Sequence, residues 1–240
     1  LNTKGVLIYK TDEGKTKALG TKQVSVSVDK KKRVFVFDPV ELLGDSSKDT
    51  NYTVELTSNI LKANGAAAFT GTYKNGEKWT FEVSTEVDLS PPTVVSVIPK
   101  ESAKEDRNVT VEITFNEPMN PVAATGSYLT KEKEFFNNIS VLNKLKKNIE
   151  GSFVISNGYK TIGFTTIDAC SQDPCGDIIY CLPPNEDITV VAKSATLDPN
   201  DLPQAKIING TYDGLTDASG NSLDGDGDKK SCGSEKDSVK

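Results

Sequence analysis

The residues best placed to do chemistry are carboxylates. Asp224-Gly-Asp-Gly-Asp228 alternates three acids with glycine, a run that lets a loop wrap a hard cation in oxygen ligands, as calcium requires. The full EF-hand pattern is absent, because Lys229, Lys230 and Ser231 follow where a bidentate acid is needed. A flexible acidic surface loop is the competing reading. A second set, Asp88, Glu117 and Asp217, is scattered along the chain and needs a fold to unite it. Histidine is missing altogether. That excludes Ser-His-Asp and Cys-His triads, histidine-ligated zinc and any histidine pH switch.

Thiols are the other reactive groups. Cys170, Cys175 and Cys181 crowd one stretch and Cys232 stands near the end. Their spacing fits no zinc-ribbon pattern, which wants close cysteine pairs at both ends. Four cysteines in a loop-rich context make two disulfides the better expectation, with three connectivities open.

The elements that must position these groups are strands. The chain has 240 residues, 36% of them hydrophobic and 26% charged, with net charge −6. That length suits one large or two ordinary domains. No apolar run reaches the roughly 18 residues of a membrane helix, and a net-negative surface is no partner for nucleic acid or anionic membranes. One Met, one Trp and many Thr, Val, Asn, Gly and Asp suit an extracellular all-β protein.

Asp88-Leu-Ser-Pro-Pro92 divides the chain. Proline gives no amide proton to a sheet, so Pro91-Pro92 suits a stiff linker or a strand entry. Trp79, Phe81 and Val83 alternate upstream; Thr93–Ile98 and Val109–Phe115 alternate downstream. The expected domains are 1–88 and 89–240. Within them the same parts recur in order: Val24–Val28 turning into Val34–Phe37 corresponds to Phe153–Ile155 turning at Asn157-Gly158 into Thr161–Phe164. Asn-Gly marks a type I′ hairpin. Tyr52–Leu56 and Ile188–Ala192 follow as alternating strands. Two copies of one module are implied. The first lacks early strands and the second lacks the closing strand that Trp79–Val83 supplies to the first. The expectation is a window on a longer chain, or a subunit completed by its neighbours. Ser127–Phe136 carries the one helical signal.

Three segments resemble the bacterial immunoglobulin-like domain of S-layer and other large surface proteins. They are Pro91-Pro-Thr-Val-Val-Ser-Val-Ile-Pro99, Val111-Glu-Ile-Thr-Phe-Asn-Glu-Pro-Met-Asn120 and Leu215-Thr-Asp-Ala-Ser-Gly-Asn-Ser-Leu-Asp224. Residues 91–240 follow the family's order, and 1–88 match its later half. The resemblance implies two tandem immunoglobulin-like β-sandwiches in a non-enzymatic spacer or assembly module at the cell surface, joined end to end with copies or continuations of itself. In such a sandwich the loop after the second strand and the loop before the last lie beside the chain entry. Asp88, Glu117 and Asp217 would then meet at a junction that calcium could brace. The plainer reading is that Glu117-Pro118 and Asp217–Asn221 are turn formers.

Other features have modest readings. Trp79 is expected on the core face, and Lys30–Arg33 as a solvated turn. Sequons occur at Asn51, Asn108, Asn138 and Asn209. An adhesive or carbohydrate-binding module would use exposed aromatics, with Tyr73, Tyr128 and Tyr159 as candidates. An accessory domain of a secreted hydrolase is the remaining alternative.

Overall fold

Alternating β-branched and polar residues leave each segment one face to bury, and the chain meets that demand with antiparallel sheets. The computed structural model describes residues 5–70, 76–128, 135–200, 202–208 and 210–228. The protein is all-β, as its sequence predicts. It forms two compact units: Leu1–Ser25 with Phe37–Asp88, and Val26–Val36 with Leu89–Lys240. Division at Asp88 matches the Pro-Pro signal, while the turn at 26–36 groups with the second unit.

The first unit contains β1 (Val6–Lys10), β4 (Thr50–Thr57) and β5 (Gly76–Val83), in the sheet order β1-β4-β5. Between them in sequence lie β2 (Val24–Val28) and β3 (Phe35–Pro39), which pair as a hairpin. Ile8, Tyr52 and Val54 form the buried core, packed by Leu19, Val24, Phe37 and Val83. The strand β1 was not expected from sequence.

Trp79 and Phe81 correct one expectation. They sit opposite Val54 and Tyr52 in the ladder, so alternation did assign them to the core-side face. Yet they are 45% and 37% exposed. β5 is the edge strand of its sheet, and the small covering layer does not reach that far.

The second unit contains β6 (Val94–Ile98) and β7 (Val111–Phe115), then the short pair β8 (Ser127–Tyr128) and β9 (Phe135–Phe136), then β10 (Ile139–Leu142). After these come β11 (Gly151–Ser156), β12 (Thr161–Thr166), β13 (Ala169–Gln172), β14 (Ile178–Tyr180) and β15 (Thr189–Ala192). One sheet runs β11-β12-β7-β6 and a second pairs β10 with β15. Ile113, Phe115 and Ile162 of the first sheet pack on Ile139 and Ala192 of the second, with Leu215 and Leu223 beneath them. This is a two-layer sandwich around one core. The hairpin forms, but the turn differs from the expected one: its loop spans residues 157–160, Lys160 N donates to Asn157 O at 3.2 Å, and the central residues are Gly158 and Tyr159 at φ 59° and 69°, with Asn157 also positive at 51°.

The expected helix at 127–136 is not formed. β8 and β9 occupy its two ends, and residues 129–134 lie outside the described residues. The helix stands one step earlier, α1 (Pro121–Thr125). Asn120 Oδ1 caps it by accepting from Val122 N at 3.0 Å and Ala123 N at 3.2 Å, with Pro121 at its start.

The cysteine stretch is also more ordered than its sequence suggests. β13 and β14 form a hairpin, and a disulfide joins Cys170 to Cys181 with their Cα atoms 5.7 Å apart. Closing so short a loop contributes roughly 2–4 kcal/mol. Cys175 is exposed and unbridged among the described residues, and Cys232 lies outside them. The even cysteine count makes those two the second expected bridge. Alkylation of the native chain without reductant should therefore add no mass. Label on Cys175 and Cys232 alone would leave a single bridge, and label on Cys170 or Cys181 would contradict the hairpin clamp.

Candidate functional site

The segment after Asp213 builds the densest polar structure in the second unit. Asp217 starts a tight turn. Its Oδ1 accepts from Ser219 N and Asn221 N, both at 2.8 Å, and its Oδ2 accepts from Asn221 Nδ2 at 2.8 Å. Gly220 adopts φ +90°, a region that L side chains rarely enter. A Cβ there would also come within 2.9 Å of Gln204 Oε1. The turn is fixed against its surroundings: Asn221 Oδ1 accepts from Gln204 Nε2 at 2.7 Å, and Asn120 N donates to Thr216 O at 2.9 Å. Ala218 N donates to Pro118 O at 3.1 Å.

Topology thus brings the Glu117–Asn120 segment to the 216–221 segment, as the resemblance implies. Met119 and Asp217 pair as an isolated antiparallel bridge. Glu117 is half-buried and Asp217 is 1% exposed, and their carboxylate oxygens come within 4.8 Å of one another. Asp88 is exposed at the end of the first unit. Asp217 is committed to its turn by three N–H donors, the role expected of a turn former.

Asp224, Asp226 and Asp228 do converge. Their carboxylate oxygens lie within 4.8 Å of one another, and these groups can hold a metal ion. Asp224 is buried and anchored by its N–H to Pro92 O at 2.9 Å, whereas Asp226 and Asp228 are exposed. Local bonds shape the loop: Gly227 N donates to Asp224 Oδ1 at 2.8 Å and Asp228 N to Asp226 Oδ1 at 3.1 Å. Like charges this close repel by about 1 kcal/mol per pair even in water, and a cation would relieve that cost.

Two further residues matter that the sequence reading missed. Asn138 is 1% exposed, and its Nδ2 donates to Ala123 O (3.0 Å), Gly214 O (3.1 Å) and Tyr212 O (3.4 Å). It ties α1 and the 212–214 segment to β10, so this sequon is closed to modification in the folded chain. Asn51 and Asn108 are exposed, and Asn209 lies outside the described residues. Asp213 accepts from Thr196 N and Thr196 Oγ1, both at 2.8 Å, and from Lys193 Nζ at 3.3 Å.

Of the basic turn, Lys31, Lys32 and Arg33 are exposed, but Lys30 is not simply solvated. Its ammonium lies 5.4 Å from the centre of the Phe153 ring, and its pKa is lowered by burial first and by neighbouring Lys31 second. Among the candidate aromatics, Tyr159 is 54% exposed in a turn. Tyr73 lies outside the described residues, as does the side chain of Tyr128. None of the described helices is long and apolar enough to cross a membrane. No protein-family model matches the chain, and no characterised protein matches it in sequence.

Burial by itself raises the Asp213 carboxyl, but the Thr196 hydrogen bonds and Lys193 outweigh it and hold its pKa below the ordinary value. A carboxyl depressed by folding stabilises above its unfolded pKa and loses that contribution as pH falls through the folded one. Stability should therefore drop below about pH 4. Asp213→Asn should be less stable at pH 7 and show a shallower acid-side decline in urea titrations. An unchanged acid slope would remove Asp213 from the account.

Proposed function

We propose that this chain is a structural segment of an extracellular surface protein, built from immunoglobulin-like modules that serve as spacers and assembly units. The observation that carries this reading is strand order. Lettered A to F, the strands β6, β7, β10, β11, β12 and β15 give the sheets D-E-B-A and C-F. An immunoglobulin sandwich has A-B-E-D facing C-F-G. β1 to β5, lettered C to G, give C-F-G in the first unit and the hairpin D-E, whose residues 26–36 group with the second. Among the described residues the second unit thus has the order of a sandwich without G, and the first that of one without A and B.

The complementary deficits support joining end to end. Asp224 already forms a parallel bridge with Thr93 at the start of β6, where a closing strand would begin. A neighbour can add a strand to an open sheet edge. In this reading the chain has no catalytic role, and its polar clusters stiffen turns.

Calcium is the cation we assign to Asp224, Asp226 and Asp228, because hard carboxylate oxygens on a glycine-rich loop suit it. A ligand bound only by the folded state raises the melting temperature with its concentration. Millimolar calcium should raise the melting temperature relative to chelator, and Asp226→Ala should abolish the rise. Asp217→Ala should lower the melting temperature in chelator and calcium alike, by the roughly 1–3 kcal/mol of a lost buried acceptor. Superimposable native curves would leave the acidic loop as surface only.

Location is tested on intact cells of the source organism. A membrane-impermeant amine reagent should label the native protein before lysis. Boiling in detergent with reductant then separates a strand-exchanged subunit, near 25.9 kDa, from a longer covalent chain. Labelling that requires lysis would end the surface reading.

A further inference from the structure

We propose that the outer edge of β5 is a self-complementary interface, pairing antiparallel with β5 of a second copy of this chain across a two-fold axis. β5 ends the sheet order β1-β4-β5, so its outer backbone groups face no other strand among the described residues. Such an edge is a template for another strand. The edge carries Trp79 and Phe81, 45% and 37% exposed, on the side that the core layer leaves uncovered.

Among the described residues of the second unit, the entry strand is engaged along β7. There β6 pairs along β7 through residues 94–98, and touches the 224 segment by a single bridge at Thr93.

The sequence of β5 selects both the partner and the register. It reads Glu77-Lys-Trp-Thr-Phe-Glu-Val83. Centring the two-fold on Thr80 sets Lys78 opposite Glu82 and Trp79 opposite Phe81, each pair occurring twice. Paired numbers then sum to an even value, so outward-facing backbone groups meet outward-facing groups, as an antiparallel ladder requires. Opposite charges and aromatic pairs directly across strands are both stabilising. Centring on Trp79 or Phe81 also keeps the sum even, but sets Lys78 or Glu82 opposite Thr80; each keeps one aromatic pair, Trp79 or Phe81 against itself, and loses both charge pairs. A strand whose charges served only to repel neighbours would have no reason to match itself in one register.

The interface joins sheets into β1-β4-β5 followed by the partner's β5-β4-β1. It rests on the first unit alone, so its failure would leave the spacer reading of the second unit intact.

Trp79 is the only tryptophan and reports its own burial. With free thiols alkylated, the full chain should show a concentration-dependent blue shift of emission together with a monomer-to-dimer transition in sedimentation equilibrium. Glu82→Lys places two lysines across the axis and should weaken association at least about tenfold. Lys78→Glu should do the same with two glutamates. Both residues are exposed, and circular dichroism melts verify that each variant folds. The double variant K78E/E82K restores opposite charges and should recover association. A native chain that stays monomeric with constant emission up to millimolar concentration overturns the proposal. So does a dimer indifferent to both single changes, or a double variant no better than the singles.

Discussion

The second unit depends on one carboxylate. Asp217 supplies acceptors for two backbone N–H groups and one side-chain amide within five residues, and is itself almost wholly removed from water. A carboxylate left buried without those donors would be costly; with them it fixes a turn that no alternative backbone path satisfies as well. The turn sets Leu215 and Leu223 on either side, both fully buried in the main core. The polar turn and the apolar core are therefore one construction. The backbone pairing of Met119 with Asp217 then fastens the loop after β7 to the 216–221 turn.

Around that turn the same device recurs. Asn120 caps α1, Asn138 gathers three carbonyls, and Asp213 takes Thr196 and Lys193. Each satisfies backbone groups that irregular segments would otherwise leave unpaired in the interior. A sandwich with long connections has more such groups than ladders can absorb, which explains why so many Asn and Asp side chains are buried here. Asp224, Asp226 and Asp228 differ, since two of the three face solvent while Asp224 anchors their loop to Pro92. Asp226 and Asp228 are open to a cation, whereas Asp217 is closed off by its turn.

Much of this was legible in the sequence, and the misses share causes. Val24–Val28, Tyr52–Leu56, Val94–Ile98, Ile139–Leu142 and Thr161–Phe164 all lie in strands because alternation is a local signal. The hairpin at Asn157-Gly158 was readable from two residues, though its turn type was not. Val6–Lys10 was not, since its partner β4 lies over forty residues away and its own sequence alternates poorly. The helix was misplaced because Ser127–Phe136 holds helix formers, while Asn120-Pro121 carries the stronger start signal in only five helical residues. The core role of Trp79 failed for a different reason. Periodicity assigns a face, but exposure at a sheet edge depends on what lies across from it. The meeting of Glu117 with Asp217 was accessible only through the family resemblance, as their separation of a hundred residues carries no local signal.

Each unit leaves an edge strand open among the described residues. In the second unit Val95, Val97 and Ile98 of β6 are exposed, and β6 ends its sheet as β5 ends the other. Such edges are covered by another strand or by a helix, and no described helix lies over them. The two edges differ in chemistry. β6 offers aliphatic residues around a serine, with no charge to set a register, so it accepts a strand whose alignment is fixed elsewhere, as the Thr93–Asp224 bridge begins to do. β5 offers alternating charge around aromatics, which fixes its own alignment. An uncharged edge suits a strand delivered by the same chain at high effective concentration, whereas a partner arriving by diffusion must be selected by the edge itself. The placement of charge on β5 and its absence from β6 follow that division.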